Sequence, residues 1–123
     1  LKPSMVISGD ICESQADPDL VAEMTVKCLK ATVPVNVPGC AFLSGGQSDV
    51  DATVHLNLMN KKYDLPWNLT FSYGRALQHP AIMSWKGMKE NVKTSQEILF
   101  HRSMVNGLAS KGEYNSSMED KVS

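Results

Sequence analysis

Apolar runs broken by glycine and proline divide the chain into alternating predicted strands and helices. A short run at residues 5–7, followed by Gly9, predicts a first strand that leads into a loop. Longer runs at residues 40–43 and 69–73 predict two further strands. The run at residues 40–43 is continuously apolar, which is typical of a strand that is covered on both faces.

Capping residues indicate where the helices between these strands begin. Asp17 followed by Pro18 predicts an N-cap and the first residue of a helix, which ends before Pro34. Ser48, three residues before Asp51, resembles a capping box and predicts the start of a second helix. Each of these two helices therefore follows one predicted strand and precedes the next.

The last third of the chain is predicted to be helical. Short helical material reaches Trp85, and a long amphipathic helix is predicted at residues 91–110, ended by Gly112. The apolar positions of the long helix are Val92, Ile98, Leu99, Met104, Val105 and Leu108. We expect these positions, like the other Leu, Val and Met side chains, to pack in the core. Residues 115–123 are predicted to form a polar tail.

Strands that alternate with helices indicate an α/β fold built from right-handed βαβ units around a parallel sheet. Three apolar strands alone would leave two open sheet edges, which proteins normally cover or pair. We therefore interpret the chain as an arc of a larger sheet, such as a (β/α)8 barrel. In such barrels the active site lies at the carboxyl ends of the strands.

Composition excludes several classes of function. The 123 residues carry 12 Lys and Arg against 13 Asp and Glu, a formal net charge of -1, so no global field favours nucleic acid or an anionic membrane. No apolar run approaches the roughly 20 residues that cross a bilayer, and no signal segment opens the chain. We predict a cytoplasmic protein without a nucleic-acid or membrane partner. Because the chain begins at Leu1 without a methionine, we interpret it as a fragment.

Cysteine and histidine spacing predicts neither a metal site nor a disulfide framework. The three cysteines are Cys12, Cys28 and Cys40. They are odd in number and form no C-x-x-C pair, so we expect reduced thiols that are buried or half-buried. The three histidines are His55, His79 and His101. They have no metal-ligand spacing, and we predict surface or capping roles for them. No metal and no cofactor is predicted.

Two glycine-containing turns at predicted strand ends are candidates for anion binding. Residues 44–46 (SGG) follow the second strand, and Gly74 with Arg75 follows the third. Glycine lets backbone N–H groups approach an anion, a helix N-terminus adds partial positive charge, and arginine can bind phosphate through two hydrogen bonds. The pattern alone leaves two interpretations open, plain turns or a phosphate site. By pattern alone, Lys2 is an ordinary solvated lysine near a terminus.

Three longer segments resemble motifs of the class I fructose-bisphosphate aldolases. Residues 1–6 (LKPSMV), 42–48 (FLSGGQS) and 69–78 (LTFSYGRALQ) are similar to the family segments LKPNMV, FLSGGQS and LTFSYGRALQ. Shorter segments fit the family in the same order, and the resemblance extends to about Tyr114. The resemblance implies the C-terminal part of an aldolase: a partial (β/α)8 TIM barrel made of the last strands and helices, with a C-terminal helix.

The resemblance also implies a division of the chain and roles for individual residues. Residues 1–114 would belong to the barrel, and residues 115–123 would be a polar C-terminal tail. Lys2 would be the lysine that forms a Schiff base with fructose 1,6-bisphosphate, so that the sugar is cleaved to dihydroxyacetone phosphate and glyceraldehyde 3-phosphate in glycolysis. The other implied site residues are Ser44, Gly45, Gly74 and Arg75, which would bind the substrate phosphate, and Leu43 and Tyr73, which would line the site.

The chain departs from the family pattern in ways that leave a second hypothesis open. Ser4 stands where the family often has Asn, Pro80 lies in a helix that is usually free of proline, and the family's terminal tyrosine is missing. The family's acid and base residues lie on earlier strands. The first hypothesis is therefore part of an aldolase, homotetrameric at full length and inactive as a fragment. The alternative is a truncated, non-catalytic aldolase-like protein with a phosphate-binding or structural role.

Overall fold

Two parallel strands form the sheet, β1 (Gly39–Phe42) and β2 (Asn68–Phe71), with Phe42 paired to Phe71. The computed structural model describes residues 1–121, so Val122 and Ser123 of the predicted tail lie outside the described residues. Both strands were predicted, although the second ends two residues earlier than expected. Within the described part of the chain, the outer edge of β2 has no partner strand.

The predicted first strand at residues 5–7 is wrong, because the chain pairs with β1 earlier. The carbonyl of Leu1 accepts the N–H of Ala41 at 2.8 Å, and the carbonyl of Pro3 accepts the N–H of Leu43 at 3.1 Å. Proline has no N–H to donate, so the ladder cannot develop into a regular strand. Residues 1–3 nevertheless run parallel to β1 as a third, extended segment of the sheet.

Helices cover the sheet in the predicted order. The α-helices are α1 (Pro18–Thr32), α2 (Asp49–Lys62), α3 (Arg75–Trp85) and α4 (Val92–Ala109), and the two 3-10 helices are Lys89–Asn91 and Ser116–Lys121. The predicted caps are confirmed: the Asp17 carboxylate accepts the N–H of Leu20 at 2.8 Å, and the Ser48 hydroxyl accepts the N–H of Asp51 at 3.0 Å. Local capping chemistry therefore fixes where α1 and α2 begin.

The core lies between the strands and the helices. α1 packs against α2, α2 against α4, and α4 against α3. In β1 the side chains of Cys40 and Phe42 are fully buried, whereas Gly39 and Ala41 between them remain partly exposed. The predicted cover on both faces of this strand is therefore absent from the described structure, in which only alternate positions are fully covered.

The buried face of α4 is partly polar, so the prediction from its apolar positions is confirmed at Val105 but not at several others. Three predicted core residues are exposed by 40% or more: Val92, Leu99 and Met104. The buried residues of the helix are His101, Arg102, Val105, Asn106 and Ala109. The apolar positions follow helical spacing, but the face that meets α2 is selected by a polar network that spacing cannot reveal.

Burial also corrects the predictions for other residues. His55 and His101 were predicted to lie at the surface or in caps, and both are buried; His79 is exposed as predicted. Among the cysteines, Cys40 is buried, but Cys12 and Cys28 are exposed, contrary to the prediction.

Arg102 is the centre of the polar network between α4, α2 and the C-terminal 3-10 helix. Its guanidinium donates to the Glu119 carboxylate at 2.5 Å, to the Thr53 hydroxyl at 2.5 Å and to the Asp49 carbonyl at 3.0 Å. The Tyr114 hydroxyl donates to the other oxygen of Glu119 at 2.8 Å. Since a buried cation is costly without partners, Glu119 stabilises both the guanidinium and the docked position of residues 116–121.

The division of the chain into barrel residues 1–114 and tail residues 115–123 stays a prediction.

We predict that Glu119→Ala lowers the free energy of unfolding by about 1.5 to 3 kcal/mol, because it removes charged hydrogen bonds from a buried arginine. The measurement is urea unfolding of a longer chain that carries residues 1–123 and supplies a neighbour for the open edge of β2. The control is Asp120→Ala, an exposed acidic residue beside it, which should change stability by less than about 0.5 kcal/mol. Equal effects of the two variants would contradict the role of Glu119.

The same ion pair predicts a dependence on pH. Burial alone would raise the pKa of Glu119, but the hydrogen bonds from Arg102 and Tyr114 outweigh it and hold the pKa below its ordinary value of 4.5. A lowered carboxyl pKa stabilises the fold above pH 4.5, and this stabilisation is lost as the pH falls through the folded-state value. In the Glu119→Ala variant, the free energy of unfolding measured at decreasing pH should not show this loss.

Candidate functional site

A tight glycine turn follows β1 at the carboxyl end of the sheet. Gly45 and Gly46 both have positive φ angles, 57° and 83°, and the N–H of Gln47 donates to the carbonyl of Ser44 at 3.1 Å. A Cβ atom on Gly45 would lie 2.9 Å from the Cδ1 atom of Leu43. Both the backbone conformation and the space therefore require glycine at position 45.

The Gln47 side chain braces this turn from α2. Its Nε2 donates to the Ser44 carbonyl at 2.9 Å, and its Oε1 lies 2.6 Å from Nδ1 of His55. Burial lowers the pKa of His55, although the nearby Asp51 carboxylate opposes the shift. Sequence reasoning missed both Gln47 and His55. Gln47 stands inside the FLSGGQS motif and could have been noticed there, whereas nothing in the pattern singles out His55.

The turn after β2 begins at the same end of the sheet. The N–H of Ser72 donates to the carbonyl of Phe42 at 2.8 Å, which continues the parallel pairing beyond β2. Gly74 then precedes α3, so that Arg75 is the first residue of that helix, and its side chain is exposed. Tyr73 lies in the core instead, where its hydroxyl donates to the carbonyl of Ala52 at 2.8 Å. Any contact of Tyr73 with a ligand is therefore made through its backbone.

The two turns share one open cleft of about 270 Å³. Its lining residues are Gly46, Gln47, Asp49, Arg75, Ala76, His79 and Pro80. Arg75 contributes a guanidinium, and the N-terminus of α3, which has no acidic residue in its first turn, contributes partial positive charge. Asp49 contributes a carboxylate of opposite sign. The arrangement can hold an anion between Arg75 and the glycine turn.

Lys2 lies beside β1. It stands between Leu1 and Pro3, whose carbonyls bond to the strand, and its side chain is exposed. It does not line the shared cleft. Of the predicted site residues, only Arg75 lines this cleft, where it meets Gly46 and Gln47 of the glycine turn; Ser44, Gly45 and Gly74 stand one or two residues from lining residues in the chain. Lys2 borders the same sheet beside β1, before the glycine turn.

The sequence of the whole chain matches a family of known proteins. The sequence model of the family described as fructose-bisphosphate aldolase class-I matches residues 1–123. The chain belongs to this family. Among its relatives, the probable class 1 aldolase of Xylella fastidiosa (strain 9a5c) is 53% identical over 115 residues, which are 93% of this chain and 34% of that protein. The chloroplastic fructose-bisphosphate aldolase 1 of Pisum sativum is 49% identical over 121 residues, 98% of this chain and 34% of that protein.

A solved structure supports the same assignment for the fold. The fructose-bisphosphate aldolase of Plasmodium falciparum, crystallised with TRAP and a small-molecule inhibitor, superimposes with a TM-score of 0.89 at 46% identity. The match covers 94% of this chain and 33% of that one. The predicted fold class, a partial (β/α)8 TIM barrel, is confirmed. The chain spans about a third of the length of the aldolases that it matches.

Two further observations bear on metal ions and membranes. Among residues 1–121, no three His, Cys, Asp or Glu side chains lie close enough together to hold a metal ion. Within the same residues, none of the helices combines the length and the apolar character needed to span a bilayer.

Proposed function

We propose that this chain is the Schiff-base and phosphate-binding part of a class I aldolase that cleaves fructose 1,6-bisphosphate in glycolysis. The observation that carries the proposal is the cleft in which Arg75 and the glycine turn meet, at one end of two paired parallel strands. The products would be dihydroxyacetone phosphate and glyceraldehyde 3-phosphate. The full-length protein would act in the cytoplasm as a homotetramer.

Arg75 and the two turns would bind a phosphate of the substrate. Arg75 would donate two hydrogen bonds to one phosphate group, and Ser44, Gly45 and Gly74 would add contacts from the turns. The positive end of α3 points toward the same cleft and favours an anion there. Leu43 packs against the glycine turn and, with the backbone of Tyr73, would line the strand ends.

Lys2 would supply the covalent chemistry. Its neutral amine would attack the substrate ketone, and loss of water would give a protonated imine. The imine would accept the electron pair of the breaking carbon–carbon bond, and a proton would later return to the same carbon. Each proton transfer needs a placed acid or base, which typically accelerates a step by about 10² to 10⁴-fold. We assign no such group among residues 1–121, so the remaining two-thirds of an aldolase would supply it.

The alternative, a non-catalytic aldolase-like protein, would retain the same cleft without turnover. It shares with the first proposal the binding of a sugar phosphate, so binding alone cannot separate the two. Formation of a covalent adduct at Lys2 separates them, because only the enzyme needs it.

We predict that Arg75→Ala weakens binding of fructose 1,6-bisphosphate by about 2 to 4 kcal/mol, since a hydrogen-bonded charge pair to phosphate is lost. The measurement is the KM of a full-length aldolase chain whose C-terminal third is residues 1–123. Lys93→Ala, which removes an exposed positive charge from α4, is the control and should leave KM unchanged. Unchanged KM and kcat in Arg75→Ala would remove Arg75 from the site.

We predict that borohydride traps dihydroxyacetone phosphate on Lys2 in the same full-length chain. Peptide mapping should find the label on residues 1–6, and Lys2→Arg should abolish it, because the guanidinium cannot form the imine. Lys27→Arg, an exposed lysine on α1, should retain full labelling. A label on Lys27 or on any lysine other than Lys2 would refute the assignment.

We predict that the isolated 123-residue chain neither unfolds cooperatively nor cleaves fructose 1,6-bisphosphate. The outer edge of β2 is unpaired within the described residues, and β1 is fully covered only at alternate positions, so the sheet lacks neighbours that a closed barrel supplies. Calorimetry and an aldolase assay, with the full-length chain as reference, test both parts. A cooperative melt of a monomer together with turnover would contradict the prediction.

A further inference from the structure

A chain of hydrogen bonds connects the interior of α2 to the glycine turn. Nδ1 of His55 lies 2.6 Å from Oε1 of Gln47, and Nε2 of Gln47 donates to the Ser44 carbonyl at 2.9 Å. His55 is 6% exposed, so its imidazole is held in place by the residues packed around it. We infer that His55 is a positioning residue for phosphate binding, which it supports by fixing the Ser44–Gly45 peptide through Gln47. The inference rests on the proposed function.

The atoms of the Gln47 amide can be assigned because its partners differ in kind. The Ser44 carbonyl can only accept a hydrogen bond, so the NH2 group of Gln47 must face it. The amide oxygen then faces His55, whose Nδ1 must carry the hydrogen. Protonation of His55 adds a hydrogen at Nε2 and leaves the Nδ1 donor in place. The brace therefore persists in both protonation states.

Fixing the Ser44 carbonyl also fixes the direction of the Gly45 N–H. The carbonyl accepts two hydrogen bonds from Gln47, one from its backbone and one from its side chain. The described chain has no cis peptide bonds, and in a planar trans peptide the N–H points away from the carbonyl oxygen. The Gly45 N–H thus points away from Gln47. Because glycine can turn this peptide at little cost, an external brace is what keeps the N–H ready for an anion.

The other groups around His55 do not replace this brace. A second cleft of about 240 Å³ lies on the far side of the turn, and Asp10, Ser48 and Asp51 line it together with His55. Gly46 and Gln47 line both clefts, so the turn is the wall between them. Without the His55 donor, the half-buried Gln47 amide would lose the partner that holds its oxygen. It could then turn away and leave the Ser44 carbonyl with the backbone bond alone.

The test compares His55→Leu with His55→Asn in a full-length aldolase chain that carries residues 1–123. Asparagine places an amide nitrogen where histidine has Nδ1, whereas leucine has a similar size and no donor. We expect His55→Leu to raise KM for fructose 1,6-bisphosphate and Ki for inorganic phosphate about five- to tenfold, on the scale of one hydrogen bond. The value of kcat should change less than about twofold, because the lost interaction stabilises the bound substrate and the transition state equally. His55→Asn should restore KM.

A purely structural role for His55 would give a different result. It would lower the melting temperature and the active fraction, with KM unchanged and no rescue by asparagine, and this outcome would overturn the inference. Gln47→Met removes the amide and should reproduce the KM of His55→Leu, and the double variant should be no worse than either single one. Additive effects of the two substitutions would also overturn it. If His55→Leu fails to fold, Gln47→Met and His55→Asn still decide the matter.

Arg75→Ala separates a failure of this inference from a failure of the proposed function. A raised KM in Arg75→Ala with a normal KM in His55→Leu would overturn the role of His55 and leave the phosphate site standing. A normal KM in both variants would overturn both. A raised KM in both Arg75→Ala and His55→Leu, together with a normal KM in His55→Asn, supports the role of His55 and the proposed function.

Discussion

Parallel pairing of β1 with β2 is the constraint on which the candidate site depends. Because Phe42 pairs with Phe71 and both strands run in one direction, the turns that follow them must leave the same edge of the sheet. An antiparallel pair would put the glycine turn and Arg75 at opposite ends. The hydrogen bond from Ser72 to Phe42 extends the pairing to the point where the two turns diverge.

Polar side chains hold backbone segments at both ends of the strands and between the helices. Gln47 braces the glycine turn, the indole of Trp67 donates to the Pro34 carbonyl at 2.9 Å, and Arg102 joins α4 to the start of α2. Each of these groups donates a hydrogen bond to a backbone carbonyl. A backbone held by a specific donor has one orientation, whereas apolar packing alone tolerates several. Anion binding by backbone N–H groups needs a single, fixed orientation of the backbone.

Local chemistry made much of this fold predictable, and tertiary choices made the rest unpredictable. The caps at Asp17 and Ser48 act within three residues, so α1 and α2 begin where the sequence predicts. The polar part of the buried face of α4 depends on Arg102 meeting Thr53, far away in the chain, so helical spacing identified Val105 but could not identify Arg102. The resemblance named Arg75 and the glycine turn. His55 escaped notice because its role exists only once α2 packs behind that turn.

The charges around the cleft follow from the same packing. Asp49 lines the cleft as a half-buried carboxylate, which by itself would oppose a phosphate beside Arg75. Its Oδ2 lies 3.9 Å from Nε of Arg102, a buried cation whose other side is bound by Glu119. Opposite charges at this distance, away from bulk water, offset one another more than they would at an exposed surface. Arg102 therefore offsets part of the negative charge that Asp49 brings to the cleft beside Arg75.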